Sequence, residues 1–155
     1  MRFETVVLVA AAVVGTAPIV MSGAQSRSKH SVWSGIYSAT QARRGEELYR
    51  RHCSSGHGEN LAGLLVEPRF PGSPDRTPEL AGPTFNNNWN DLPLDDLVER
   101  IRISMPQQKP GSLSRADNVD IMAYLLWIGG FPLGDRDLAT QRDALREIRF
   151  LARQP

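Results

Sequence analysis

One cysteine, Cys53, stands in a chain of 155 residues. That excludes an internal disulfide framework and a zinc site made of cysteine alone. Histidine is also scarce, with 3 residues. Neither sign of charge dominates: 18 Lys+Arg face 17 Asp+Glu, for a formal net charge of +1. Such a balance provides no basic field for nucleic acid and no acidic tail, so nucleic acid is not an expected partner. There are no internal repeats and no strand signal. The chain has the length of one ordinary domain.

The longest apolar run is unbroken only from Val6 to Val14. A membrane-spanning helix needs ~20 such residues. Arg2 precedes the run, Gly15 and Pro18 interrupt its continuation, and Ser22-Gly23-Ala24 offers small residues for cleavage. This is the pattern of a secretory signal peptide over residues 1–24, cut near Ala24. The competing reading is an uncleaved anchor. The expected location is therefore periplasmic or otherwise exported, with no membrane span in the mature chain. An exported chain meets an oxidising compartment. A lone thiol there has to be buried, bonded to something, or paired between chains.

The expected fold class is all-α. Residues 25–37 form an extended lead-in, with Trp33 and Tyr37 to pack on the body. Ser38 or Thr40 is placed to cap a helix over 41–52. Gly45 lies inside that helix at a cost of roughly 1 kcal/mol relative to Ala, which implies that another helix crosses closely there. Residues 56–88 carry five prolines, from Pro68 to Pro83, and read as a long irregular loop that either wraps something or is partly disordered. Leu94, Leu97, Val98 and Ile101 have helical spacing and predict a helix over 94–103, ended by Pro106. Ser114 and Asp117 form a capping-box signal for a helix that is nearly apolar all round and stops at Gly129-Gly130. After a linker from Pro132, Leu145, Ile148 and Leu151 predict a last helix over 140–151. These elements make a thin core, so something other than protein is expected to fill the middle.

The chemistry concentrates in Cys53-Ser54-Ser55-Gly56-His57. Alone, C-x-x-G-H is a weak signal, and its plain reading is a surface thiol with a histidine at a helix end. Four further features accompany it in order: Gly45-x-x-Leu48-Tyr49 before it, then Pro78-Glu79-Leu80-Ala81-Gly82, Met105-Pro106, and Asp120-Ile121-Met122-Ala123-Tyr124-Leu125. Together they resemble the class I cytochrome c family. There, C-x-x-C-H attaches haem through two thioethers, and its histidine ligates iron. The resemblance covers residues 38–131, with 132–155 as linker and extra helix. It is closest to small exported bacterial cytochromes that serve quinoprotein dehydrogenases.

The resemblance implies a cytochrome c-like helical domain around a haem c. His57 becomes the proximal iron ligand and Met105 the distal one. A His/Met pair raises the reduction potential of haem iron. Cys53 becomes the single covalent attachment, since Gly56 stands where the second cysteine belongs. The Pro78 carbonyl orients the ligand histidine, Leu80 belongs to the same segment, and Trp89 is placed to donate to a haem propionate or simply to pack. The implied function is one-electron transfer to a redox partner protein, such as a quinoprotein dehydrogenase or a terminal oxidase. Two alternatives stand beside it. One is a haemless remnant of the fold that binds a partner. The other is an enzyme, using Cys53 as nucleophile or a five-coordinate haem as a peroxidase.

Overall fold

A computed structural model of the chain describes residues 30–68 and 70–155. The expected signal peptide over 1–24 lies outside the described residues. Among these residues, no helix is long and apolar enough to cross a membrane.

Helix α1 (Ala39–His52) begins at Ser38, whose hydroxyl accepts the Gln41 N–H at 3.0 Å. Ser38, not Thr40, is therefore the cap. Next come a single turn, α2 (Ser54–His57), and α3 (Pro83–Trp89), which has Pro83 in its first turn. Both fall within or beside the stretch read as irregular. A one-turn helix shows no periodicity, and the neighbouring prolines hide α3. Helix α4 (Leu94–Ser104) carries Asp95 and Asp96 in its first turn, where negative charge favours the helix dipole. Helix α5 (Arg115–Ile128) opens with the full capping box of Ser114 and Asp117. Its all-round apolarity makes it the most buried helix of the fold.

Helices α1 and α5 form the main packing pair. They cross at Gly45, as expected from that residue. Tyr49 and Tyr124 meet at the crossing, with ring centroids 5.3 Å apart.

The C-terminal expectation needs correction. The last helix, α6, spans only Arg142–Arg146. The chain then extends as β3 (Ile148–Phe150), which lies between β1 (His30–Ser31) and β2 (Leu92–Pro93). The β1–β3 pair is parallel and the β2–β3 pair antiparallel. Ile148 and Phe150 point inward while Arg149 is half-exposed, a period of two. In so short a strand that period is indistinguishable from helical spacing with Leu145. The lead-in packs as expected: Trp33 packs tilted against Phe131 with ring centroids 4.7 Å apart, and its indole N–H donates to the Leu151 carbonyl at 2.9 Å. Buried Gln41 ties α1 to the C-terminal arm by two bonds with the backbone of Leu138.

Candidate functional site

Cys53 ends α1 and begins α2. The His57 N–H donates to the Cys53 carbonyl at 2.9 Å, one helical turn along. Residues three and four apart share a helix face, so Cys53, Gly56 and His57 look the same way. All three line one cavity of about 530 Å³. That lies within the range of sites for small molecules and cofactors.

The segment after the long loop supplies the next wall. Nδ1 of His57 donates to the Pro78 carbonyl at 2.8 Å. A carbonyl only accepts, so Nδ1 carries the hydrogen. In the neutral ring this leaves Nε2 as the atom with a free lone pair. Leu80 continues this wall, and its N–H is held by the Leu61 carbonyl at 2.8 Å. Phe85 and Trp89 add aromatic surface from α3, with centroids 6.4 Å apart.

Leu97, Ile101 and Met105 face the cavity from α4, and Ile121 and Leu125 from α5. Met105 caps the end of α4, where its N–H meets the Ile101 carbonyl at 2.8 Å. Every residue picked from the sequence as a site residue therefore lines this one space: Cys53, Gly56, His57, Pro78, Leu80, Trp89 and Met105. Met122 does not line this space; it is fully buried in the core on α5. Sequence reasoning missed Arg100, Gln107 and Gln108 at the rim. Arg100 follows Leu97 by three on the helix, and that spacing was the available signal.

The lining fits a haem. Its wall is largely aliphatic and aromatic, and its nitrogen and thioether donors are the imidazoles of His52 and His57 and the sulfur of Met105; of the two imidazoles, His57 is the one held by the Pro78 carbonyl. Among the described residues, no three His, Cys, Asp or Glu side chains gather as a metal cage. A haem iron brings its equatorial ligands and takes only axial ones from the protein. Glu79 Oε1, at the wall, is buried with no hydrogen-bond partner. A buried polar atom of this kind calls for a partner that the protein itself does not supply.

Burial pushes the Cys53 thiol up to about 11. A nucleophilic cysteine needs the opposite shift. The sulfur is thus a neutral thiol facing the cavity, poorly suited to nucleophilic attack at neutral pH.

Residues 40–125 match the family described as cytochrome C oxidase, cbb3-type, subunit III. The chain belongs to this cytochrome c family. The match contains most of both crossing helices and the whole of the cavity wall, and it stops before the C-terminal arm. No curated protein and no solved structure matches the chain. A cytochrome c domain binds a c-type haem and transfers electrons. Electron transfer, rather than substrate turnover, is what the family points to.

Proposed function

We propose that this protein is an exported one-electron carrier whose haem c is tethered through Cys53 alone and ligated by His57 and Met105. The observation that carries the proposal is the 2.8 Å bond from His57 Nδ1 to the Pro78 carbonyl, beside a cavity that Cys53 and Met105 also line. That bond fixes the tautomer and ring orientation, which leaves Nε2 as the donor for iron. Met105 supplies the thioether sulfur from α4. The haem supplies the one-electron redox change, and the protein positions it and tunes its potential.

Cys53 provides the covalent link. Its thiol would hold the haem as a thioether, a link that net addition of S–H to one vinyl group would supply without an oxidant. Arg100, Asn88 and the indole N–H of Trp89 are the groups at the wall suited to the haem carboxylates. The leader pattern over 1–24 directs the chain out of the cytoplasm. The partner is a redox protein of that compartment, a quinoprotein dehydrogenase or a terminal oxidase.

The test is expression in a bacterial export compartment with cytochrome maturation factors, followed by intact mass and a pyridine haemochrome spectrum. The expected result is a mass gain of one haem that survives denaturation, with a spectrum reporting one remaining vinyl group. Absence of haem, under conditions that load a two-cysteine relative, would instead favour a haemless partner-binding module.

A further inference from the structure

We infer that the C-terminal arm, residues 132–155, is a positioning device for the distal ligand: it seats the first turn of α4 and so sets where Met105, at the other end, stands. This rests on the reading of Met105 as an axial ligand.

The arm lies outside the family match, yet α4 depends on it at two levels. The first is backbone. Helix α4 starts directly after β2, and β2 pairs with β3 of the arm, Leu92 opposite Phe150 and Pro93 opposite Arg149. The second is charge. Asp95, in the first turn of α4, is 1% exposed. Its carboxylate receives Arg115 from α5, Arg142 Nε at 3.2 Å and Arg146 Nε at 3.5 Å. Arg142 and Arg146 both belong to α6. A buried carboxylate is unfavourable unless it is paired and hydrogen-bonded. Asp95 therefore holds α4 against the arm at a defined place. Arg115 extends the brace, with contacts to Glu99 at 3.0 Å and to the Thr140 carbonyl at 2.6 Å.

The other face of α4 borders the cavity, through Leu97, Ile101 and Met105. Away from the cavity, the helix takes its position from its close-packed contacts with neighbouring elements. Those contacts are α5, α6 and the strands. From Asp95 to Met105 the helix runs about 15 Å at 1.5 Å per residue. A change of tilt at the Asp95 end is thus carried to the sulfur. The arm also backs the cavity wall directly, since Phe150 packs edge-on against Phe85 with centroids 6.0 Å apart.

The experiment uses the haem-loaded full chain. Arg142→Gln/Arg146→Gln is compared with wild type, with Arg142→Lys/Arg146→Lys as conservative rescue and Arg146→Gln as the milder variant. Arg50→Gln, which breaks an exposed pair with Glu46 on α1, is the control. The readouts are the weak long-wavelength absorption band of an iron–thioether bond, CO affinity of the ferrous protein, and thermal unfolding. The double glutamine variant is expected to lose most of the band and to bind CO on the order of tenfold tighter. Arg146→Gln should move both in the same direction, the lysine pair should restore both, and Arg50→Gln should leave both alone. A lower unfolding temperature with band and CO affinity unchanged would show the arm to be structural only, and would overturn the inference. A wild-type protein indistinguishable from Met105→Ala would remove Met105 as a ligand, and the inference with it. The two failures are thereby told apart.

Discussion

The carbonyl oxygen of Asp120 lies 1.9 Å from where a Cβ on Gly45 would stand. It is a backbone atom in the middle of α5, so no side-chain rotation relieves the contact. Gly45→Ala should therefore force the two crossing helices apart. Overpacking of this kind costs about 1–3 kcal/mol, which outweighs the ~1 kcal/mol that alanine gains inside a helix. Chemical denaturation of the Gly45→Ala protein should show a lower midpoint than wild type. An equal or higher midpoint would mean that the helices do not cross as described.

Gly56 presents the reverse case. A Cβ there meets nothing within 4 Å, and the residue lines the cavity. Gly56→Cys should fit without strain and bring a second thiol to the face that holds Cys53 and His57. We expect more covalent haem per chain, measured by intact mass after expression with maturation factors, and a pyridine haemochrome maximum moved toward that of a doubly attached haem. Unchanged loading and an unchanged maximum would refute the placement of residue 56.

Met105→Ala removes the proposed sulfur donor while leaving His57 and its bond to Pro78 in place. The long-wavelength iron–thioether band should vanish, and the reduction potential should fall, since a Met/His pair holds it high. Haem should remain attached through Cys53. A band that persists would assign the distal position to another residue.

Alkaline stability should report on Tyr37. Its ring is fully buried, and its hydroxyl donates to the Phe131 carbonyl at 2.6 Å. Burial raises its pKa from 10.0 to about 12. A folded-state value above the unfolded one stabilises the fold fully below the unfolded pKa. That contribution is lost as pH rises from 10.0 toward about 12. Over this window the denaturation midpoint should fall, with a loss from this group on the order of 2 kcal/mol. In Tyr37→Phe the fall should be shallower, although stability at neutral pH drops by about 1 kcal/mol for the lost hydrogen bond. Identical pH profiles would exclude Tyr37 as a source of the effect.

Much of the site is legible in the order of residues alone. Cys53 and His57 are four residues apart, and a single helical turn puts them on one face. Ser38, Ser114 and Asp117 announce helix starts through local hydrogen bonds, so they read correctly in sequence. The P-x-L-x-G segment led to the His57–Pro78 bond only through family resemblance, since two groups twenty-one residues apart have no local reason to meet.

What the sequence determined by itself was local: the positions of α1, α4 and α5, the capping residues, the glycine at the crossing, and the residue types able to bond a haem. Those features depend on neighbours within a turn or two along the chain. The three-stranded sheet, the short α6 and the arginines around Asp95 were decided by tertiary structure alone. Strands of two or three residues have no stability of their own and form only when partners from distant parts of the chain arrive together. Buried Asp95 likewise has no meaning in sequence. Its burial is tolerable only because α5 and α6 bring cations to it in the folded chain.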